Sequence, residues 1–385
     1  MYRIVYFIGA GLTKSLETCD CPVPMMWDFV STMAHYLDDP AVLATMVDLE
    51  RADLYEWKSA DAAKLAEPPF PPDRAAFKQA LKNRPAESIE DLLKKSLEPS
   101  ANFSAQGAHD RFRYAINKLF CLVGWNINWP PLERFLQNQF RLPDAEHTFI
   151  SFNYDLILDR AVERLSSGWG PATGYGIEIP FCVKDDLPLI EKKGGAVDSV
   201  PAAPFAVASA GRLRILKPNG SLNWLVPYQT PYEQPREGLR FSDGPLIVPV
   251  TPEGAIRYWP STHDSQHVTL PGNLPTNIGV CILPPSPAKR GELSFLKRCR
   301  EMENEALTNA DEVIVIGWSV PETDNDQGDL IKATTGNRRN PLKRITVVNR
   351  GEVTAYFRRV AELFGVDALS MRIYNSGFVD FAAGF

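Results

Sequence analysis

Short apolar runs recur along this chain, and glycines or small polar residues follow most of them. Five such runs occupy residues 4–8, 147–152, 213–217, 313–316 and 344–348. Runs of this length, rich in β-branched and aromatic side chains, are typical of strands buried on both faces of a sheet. Segments with apolar residues at helical spacing lie between several of them, including residues 293–309. The alternation predicts an α/β fold, with a parallel sheet covered by helices.

Two long segments interrupt this alternation. Residues 27–145 are rich in alanine, leucine, lysine and glutamate with apolar positions at helical spacing, which predicts a helical insertion. Residues 168–287 show little helical periodicity and contain many prolines and glycines, which predicts loops and short strands covering one face of the sheet. We interpret residues 1–385 as a single domain that contains both segments.

Glycines and polar residues follow each of the five predicted strands. These groups are Gly9-Ala10-Gly11, Asn153-Tyr154-Asp155, Asn219-Gly220-Ser221, Gly317-Trp318-Ser319 and Asn349-Arg350. The carboxyl ends of parallel strands lie at one edge of the sheet, and ligands of open α/β sheets bind there. The sequence therefore predicts that the five groups line one crevice.

The first of these groups is a candidate nucleotide-binding loop. A strand that leads into Gly9-Ala10-Gly11 lets the backbone approach a phosphate, although the same residues also suit a close strand-to-helix turn. Lys14 stands at the third glycine position of the dinucleotide fingerprint, and no Walker glycine-lysine-serine loop occurs. An ordinary hydride-transfer dehydrogenase is therefore not favoured.

The composition of the chain argues against nucleic acid and membrane as direct partners. The chain has 385 residues, of which 44% are hydrophobic, and a formal net charge of -6. Such a chain lacks the excess of lysine and arginine that grips phosphate backbones, so we expect no direct nucleic-acid binding. No run of about 18 apolar residues occurs, and the N-terminal run lacks the basic lead of a signal peptide. We therefore expect no membrane segment and a cytoplasmic location.

The cysteines argue against a zinc module. Six cysteines are scattered along the chain, without a repeated Cys-x-x-Cys pair and without histidine at ligand spacing. We therefore expect neither a zinc ribbon nor another bound metal.

Several strings of the sequence form an ordered set. They are Gly9-Ala10-Gly11, Ile89-Glu90-Asp91, Ser151-Phe152-Asn153-Tyr154-Asp155, Lys217-Pro218-Asn219-Gly220-Ser221-Leu222-Asn223-Trp224, Leu283-Pro284-Pro285, and Gly317-Trp318-Ser319-Val320-Pro321 with Asp324. In this order and spacing the set resembles the bacterial sirtuin-like family of NAD hydrolases, whose members often act in defence against phage. The combination is specific, whereas no single string would be.

The resemblance implies a Rossmann-like fold with an NAD site, where NAD is the substrate. Gly9 to Thr13 would cradle the pyrophosphate, while Asn153 and Asp155 would lie beside the nicotinamide ribose and stabilise positive charge that grows there. The implied NAD contacts are Gly9, Ala10, Gly11, Thr13, Gly220, Ser221, Gly317, Ser319 and Asn349, and the implied catalytic group is Asn153, Asp155 and Asn219.

Asn219 departs from the family pattern, which carries a histidine at this position. That histidine acts as a base, and losing a general base typically costs about 10²–10⁴-fold in rate. The resemblance therefore leaves two functions open. One is an NAD glycohydrolase that Asn219 attenuates, and the other is a catalytically silent subunit that binds NAD or ADP-ribose as a scaffold. Protein deacylation is not expected, because the zinc ribbon that builds the peptide groove of deacylases has no cysteines to form it.

Simpler structural explanations exist for the same residues. Asn219-Gly220 between two apolar runs is a strong signal for a β-hairpin with a type I′ turn. Asp155 suits the N-terminal cap of the helix predicted after its strand. Gly317-Trp318-Ser319 suits a plain strand-to-loop turn.

Partners follow from the resemblance alone. Family members commonly oligomerise or work beside an ATPase or a short Argonaute-type protein that senses invading nucleic acid. We therefore expect a homo-oligomer and a partner of one of these kinds, with residues 27–141 as the natural place for oligomer contacts.

Overall fold

The computed structural model describes residues 1–25, 27–38, 42–43, 74–83, 119–120, 123, 126–166, 168–170, 174–177, 181–182, 212–227, 246–247, 267–270, 274–282, 294–320, 325–351 and 354–384. The chain folds into two compact units. One comprises Met1–Glu17 with Ile127–Phe385, and the other comprises Thr18–Asn126.

Strands and helices alternate along most of the described chain. The strands are β1 (Tyr2–Ile8), β2 (Ala145–Ser151), β3 (Phe181–Cys182), β4 (Leu213–Leu216), β5 (Gly220–Pro227), β6 (Leu246–Ile247), β7 (His267–Leu270), β8 (Leu274–Ile282), β9 (Glu312–Ile316), β10 (Arg344–Val348) and β11 (Arg372–Tyr374). The helices are α1 (Ala10–Ser15), α2 (Phe29–Met33), α3 (Arg74–Lys82), α4 (Trp129–Phe140), α5 (Ile157–Leu165), α6 (Ser294–Asn309), α7 (Asn325–Gly336), α8 (Thr354–Phe364) and α9 (Phe378–Ala383), with short 3-10 turns at Ala34–Tyr36 and Ala368–Ser370.

Six strands form one parallel sheet in the order β11-β10-β9-β1-β2-β4. Five of them coincide with the predicted runs, which confirms the α/β, Rossmann-like fold built on a parallel sheet. Sequence reasoning misses β11, because its three exposed residues form no apolar run. The carboxyl ends of the five predicted strands therefore lie along one edge, as the sequence predicts.

The core is built around β1, which lies between β2 and β9. Its residues from Ile4 to Ile8 are all buried. The Tyr6 ring stacks on Phe149 with centroids 4.2 Å apart, and the Phe7 ring stacks on Trp318 at 5.3 Å. Burial of a large apolar side chain stabilises the fold by roughly 1.5–3 kcal/mol. This packing fixes the point at which the chain leaves the sheet and enters the glycine loop.

A second sheet has the strand order β3-β6-β5-β8-β7. In it β5 pairs antiparallel with β6 and with β8. These strands lie within the segment 168–287, where the sequence predicts loops and short strands. The bounds of that segment, and the face of the main sheet that it covers, stay predictions.

The interpretation of Asn219-Gly220 as a hairpin turn is wrong. β4 belongs to the parallel sheet, whereas β5 belongs to the second sheet, so the two strands do not pair. The turn between them is closed by a hydrogen bond from the Gly220 N–H to the Lys217 carbonyl at 3.0 Å. Asn219 lacks the positive φ that a type I′ turn requires. Pro218 at the second position and Gly220 at the fourth instead fit a type I turn.

The unit Thr18–Asn126 is described in part. Phe29, Met33 and Leu81 are buried there, and Lys78 forms an ion pair with Asp38 at 3.0 Å. Much of the predicted helical insertion at 27–145 lies outside the described residues, as do the strings at 89–91 and 283–285 and positions 321 and 324. Within the described ranges, every helix is too short or too polar to cross a bilayer.

A small polar cluster is buried beside β1 and β2. The Tyr6 hydroxyl donates to Gln139 Oε1 at 2.8 Å, and His147 Nδ1 lies 2.9 Å from the same hydroxyl oxygen. His147 is only 5% exposed. Burial lowers the pKa of His147 from 6.5 to about 4, because a charged imidazole would lose its hydration.

We expect His147 to make the protein less stable as the pH falls. The unfolded chain binds a proton at this histidine below about pH 6.5, whereas the folded chain resists protonation until about pH 4. The stabilisation is therefore complete above pH 6.5 and is lost progressively down to pH 4, by about 3 kcal/mol. Urea unfolding across this pH range should show that loss in the wild type and a clearly smaller one in His147→Gln.

The exposed His35 supplies the control, since unfolding changes its hydration little. His35→Gln should keep the full pH dependence of the wild type. Identical pH dependence in the wild type and His147→Gln would contradict the assignment.

Candidate functional site

The glycine loop after β1 packs directly against the loop after β9. The Gly11 N–H donates to the Gly317 carbonyl at 2.8 Å. A Cβ on Gly9 would lie 2.4 Å from Trp318 Cα, and a Cβ on Gly11 would lie 2.8 Å from Gly317 Cα. The close approach of two backbones therefore requires both glycines, and the Gly11 N–H is used within the protein. Ala10, between them, is exposed.

The loop after β9 has an unusual backbone conformation. Gly317 and Val320 have positive φ angles of 58° and 51°. This region is rare for a β-branched residue, because the side chain crowds the backbone. The Tyr356 hydroxyl donates to the Trp318 carbonyl at 2.8 Å, and Arg359 Nη1 donates to the Val320 carbonyl at 2.8 Å. These two bonds from α8 hold the loop in place.

Polar side chains from α1 and from the segment after β2 meet beside the glycine loop. Asn153 Nδ2 donates to the Gly9 carbonyl and to Thr13 Oγ1, each at 3.1 Å. Thr13 Oγ1 donates in turn to Asp155 Oδ2 at 2.9 Å. The Ile157 N–H donates to Asp155 Oδ1 at 3.0 Å, so Asp155 bonds the first residue of α5, while the N-cap position itself is Leu156 and not Asp155 as predicted. Three predicted site residues thus form one bonded cluster.

Asp155 is a buried carboxyl group with donors on both oxygens. It is 4% exposed, and burial raises its pKa above the ordinary value. The positive charge of Lys217 and the hydrogen bonds from Ile157 and Thr13 act in the opposite direction. Each of these three groups favours the ionised carboxylate. The arrangement holds the Asp155 carboxyl group in a fixed place with little water around it.

Next to this cluster, five fully buried side chains close a ring of polar contacts. Lys217 Nζ donates to Ser221 Oγ at 2.9 Å and lies 3.0 Å from Asp159 Oδ2. Ser221 Oγ donates to Asn223 Oδ1 at 2.7 Å, and Asn223 Nδ2 donates to the Tyr175 hydroxyl at 2.9 Å. The Tyr175 hydroxyl donates to Asp159 Oδ1 at 2.6 Å and closes the ring. We call these five side chains the polar ring.

Two hydrogen bonds join the segment after β2 to its neighbours. One comes from the polar ring and the other comes from β5. Lys217 Nζ donates to the Asp155 carbonyl at 2.6 Å. The Leu222 N–H of β5 donates to the Tyr154 carbonyl at 3.1 Å. The segment after β2 and the turn before β5 are therefore tied together by a side chain and by the backbone.

Asn219 lies at the tip of that turn and has an unsatisfied atom. The side chain is 4% exposed, and its Oδ1 has no hydrogen-bond partner among the described residues. The neighbouring Gly220 has a φ of 87°, and a Cβ there would lie 2.0 Å from the Cys281 carbonyl oxygen. The turn thus packs tightly on β8 and cannot easily rotate. A buried amide oxygen without a donor is costly, and none of the described residues supplies a hydrogen bond to it.

The remaining predicted contacts lie at the ends of β9 and β10. Ser319 is exposed, and Asn349 is half-buried. The Asn349 N–H donates to the Tyr374 carbonyl at 3.0 Å. Six predicted site residues are joined by hydrogen bonds or direct contacts, and they are Gly9, Gly11, Thr13, Asn153, Asp155 and Gly317. Ser221 is linked to them through Lys217. Ser319 and Asn349 lie outside this set. Within the described ranges, no three metal-ligating side chains converge.

Sequence reasoning predicts only Ser221 of the polar ring as a site residue and misses the other four members, Asp159, Lys217, Tyr175 and Asn223. Asp159 lies in α5 among the apolar residues Leu158, Ala161 and Val162, where a carboxylate needs a partner. Lys217 directly follows the apolar strand β4 and carries the same signal. Tyr175 has no such signal, because its short segment at 174–177 shows no periodic pattern.

No protein-family model matches this chain, and no curated protein matches its sequence. Solved structures with a similar fold share 10% sequence identity with it. A Sir2 homologue with a serine-to-alanine mutation, in complex with ADP-ribose, gives a TM-score of 0.42 over 99% of this chain and 92% of that chain. A structure of Sir2 enzymes, described for their mechanism and regulation, gives a TM-score of 0.34 over 99% of this chain and 90% of that chain. A structure of SIR2 in complex with an inhibitor, 2′-O-acetyl-ADP-ribose and a deacetylated peptide gives a TM-score of 0.35 over 100% of this chain and 91% of that chain. At TM-scores this low we draw no functional conclusion from the likeness.

We expect Gly9→Ala to destabilise the protein by about 1–3 kcal/mol, because the added methyl group would overlap backbone that cannot rotate away. Gly336→Ala is the matched control, since no atom lies within 4 Å of a Cβ at that position. Urea unfolding of both variants measures the difference. Equal stability of the two variants would show that the glycine loop does not pack as described.

Proposed function

We propose that this chain binds NAD at the carboxyl edge of its parallel sheet and acts as an NAD glycohydrolase, which converts NAD to nicotinamide and ADP-ribose. The observation that carries the proposal is the bonded cluster of Thr13, Asn153 and Asp155 beside the glycine loop. Asn153 and Asp155 belong to one of the strings that resemble sirtuin-like NAD hydrolases, and Thr13 lies two residues after another. Asn219, with its unpartnered buried oxygen, supports a ligand at this edge.

The residues at this edge suit a dinucleotide by their chemical type. Gly9 and Gly11 are explained by backbone packing, so in this proposal the exposed Ala10 and Ser319 make the pyrophosphate contacts. Asn349 lies at the end of β10 and would contact the adenosine ribose. Thr13, Gly220, Ser221 and Gly317 would shape the pocket between these points.

The proposed reaction breaks the bond between the nicotinamide nitrogen and C1 of its ribose. Water supplies the new oxygen on C1 and releases a proton, and nicotinamide leaves as a neutral molecule. Positive charge grows on the ribose as that bond stretches. Asp155 would stabilise this charge, since Thr13 and the Ile157 N–H hold its carboxylate in place. Asn153, held by two hydrogen bonds at the glycine loop, would orient the ribose.

Asn219 supports a second candidate function, a subunit that binds NAD or ADP-ribose without turnover. Its amide does not titrate near neutral pH and cannot take the proton that water releases. Loss of such a base typically costs about 10²–10⁴-fold in rate. The Asn219 amide can still form a hydrogen bond with a ribose hydroxyl, so asparagine at this position removes the base and keeps a polar contact.

The biological part of the proposal rests on the sequence resemblance. We place the chain in the cytoplasm, in antiphage defence, as a homo-oligomer that acts with an ATPase or a short Argonaute-type partner. A protein that consumes NAD would harm its own cell if it were always active. Control by a partner or by oligomer formation therefore belongs to the proposal.

The test is nicotinamide release from NAD by the purified chain and by Asn219→His. We expect turnover to appear in Asn219→His, or to rise by about 10²-fold or more, because the variant regains a group that accepts a proton near neutral pH. Calorimetric titration with ADP-ribose should show binding by both proteins.

The control is Asn153→Ala in the Asn219→His background, which should abolish the turnover. Binding without turnover in every variant would favour the scaffold function. If the chain binds neither NAD nor ADP-ribose, both candidate functions fail.

A further inference from the structure

We propose that the polar ring positions the nucleotide-binding edge, and that Tyr175, Asn223 and Asp159 are positioning residues for the ligand. The side-chain hydrogen bonds of Tyr175 run to the other two, within the ring. They would therefore act on the ligand through the residues that they hold. The inference rests on the proposed function, because the ligand concerned is NAD or its product ADP-ribose.

The hydrogen bonds of the polar ring run in one consistent direction. Lys217, which can only donate, donates to Ser221, and Ser221 donates to Asn223. Asn223 donates to Tyr175, and Tyr175 donates to Asp159. Asp159 accepts from Tyr175 and pairs with Lys217. Asp159 Oδ2 meets Lys217 Nζ as an ion pair and accepts no hydrogen bond among the described residues. Rotation of any one of the other side chains would leave its neighbour in the ring without that hydrogen bond.

The polar ring reaches the site through backbone atoms. Lys217 Nζ holds the Asp155 carbonyl at 2.6 Å, and Asp155 is one of the proposed catalytic residues. Lys217 and Ser221 also flank the turn that carries Asn219. A displacement of the lysine would therefore move both segments at once. The backbone bond from β5 to the segment after β2 couples the same two segments.

The chain offers a matched control for a role in stability alone. Tyr6, like Tyr175, has 0% exposure, and its hydroxyl also meets two polar partners. Those partners are Gln139 and His147, which lie outside the polar ring. Tyr6→Phe and Tyr175→Phe delete the same atom from equally buried sites, and only the second opens the ring.

The experiment compares Tyr175→Phe, Asn223→Leu and Tyr6→Phe with the wild-type full chain. Hydrogen exchange of the ligand-free proteins is followed by mass spectrometry on peptides covering residues 152–158 and 219–225. Calorimetry measures ADP-ribose affinity well below the unfolding transition. We expect both ring variants to lose protection in both peptides and to bind ADP-ribose about tenfold more weakly, while Tyr6→Phe changes affinity by less than about twofold.

Two results would overturn the inference. One is unchanged protection and affinity in both ring variants, and the other is a loss of the same size in Tyr6→Phe. If one ring variant fails to fold, the other still decides the matter. If the wild-type chain binds no ADP-ribose, the proposed function fails, and the exchange data alone decide whether the polar ring positions the two segments.

Discussion

The buried ion pair between Lys217 and Asp159 is the interaction on which the geometry of the candidate site depends. Neither side chain has access to water. Removing one partner of such a pair typically costs about 3–5 kcal/mol, because the other charge is left buried and alone. Ser221 accepts a hydrogen bond from Lys217, and Tyr175 donates one to Asp159 Oδ1. The pair therefore permits one arrangement of the chain around it, and that arrangement includes the turn with Asn219.

Two different constraints thus act along one edge of the parallel sheet. On the side of β9, the constraint is steric, since the backbones at Gly9 and Gly317 approach too closely for any side chain. On the side of β4, the constraint is electrostatic, since Lys217 of the polar ring donates a hydrogen bond to the Asp155 carbonyl. The cluster around Thr13 shares residues with both sides. A ligand at this edge would meet a surface held in place from two directions.

The sequence predicts the parallel sheet well, because buried strands need continuous apolar runs and five of the six strands have one. It also predicts that strand ends carry the polar groups that meet, as Asn153 and Asp155 do with Thr13. It fails where partners are distant in the chain and no periodic pattern marks them. Tyr175 is such a residue. The sequence also fails to predict that β4 and β5 belong to two different sheets, because Asn-Gly between apolar runs is also typical of a hairpin.

The polar ring changes how the asparagine at position 219 is understood. Lys217 and Ser221, on either side of it, are fixed by buried contacts, and Gly220 is fixed by its packing on Cys281. The frame of the turn does not depend on which side chain stands at its tip. A histidine at position 219, as the sequence resemblance implies for the family, would add a proton acceptor without changing the frame of this turn. Because the loss of either Lys217 or Asp159 would leave a buried charge alone, the pair holds the turn in one arrangement whatever side chain stands at position 219.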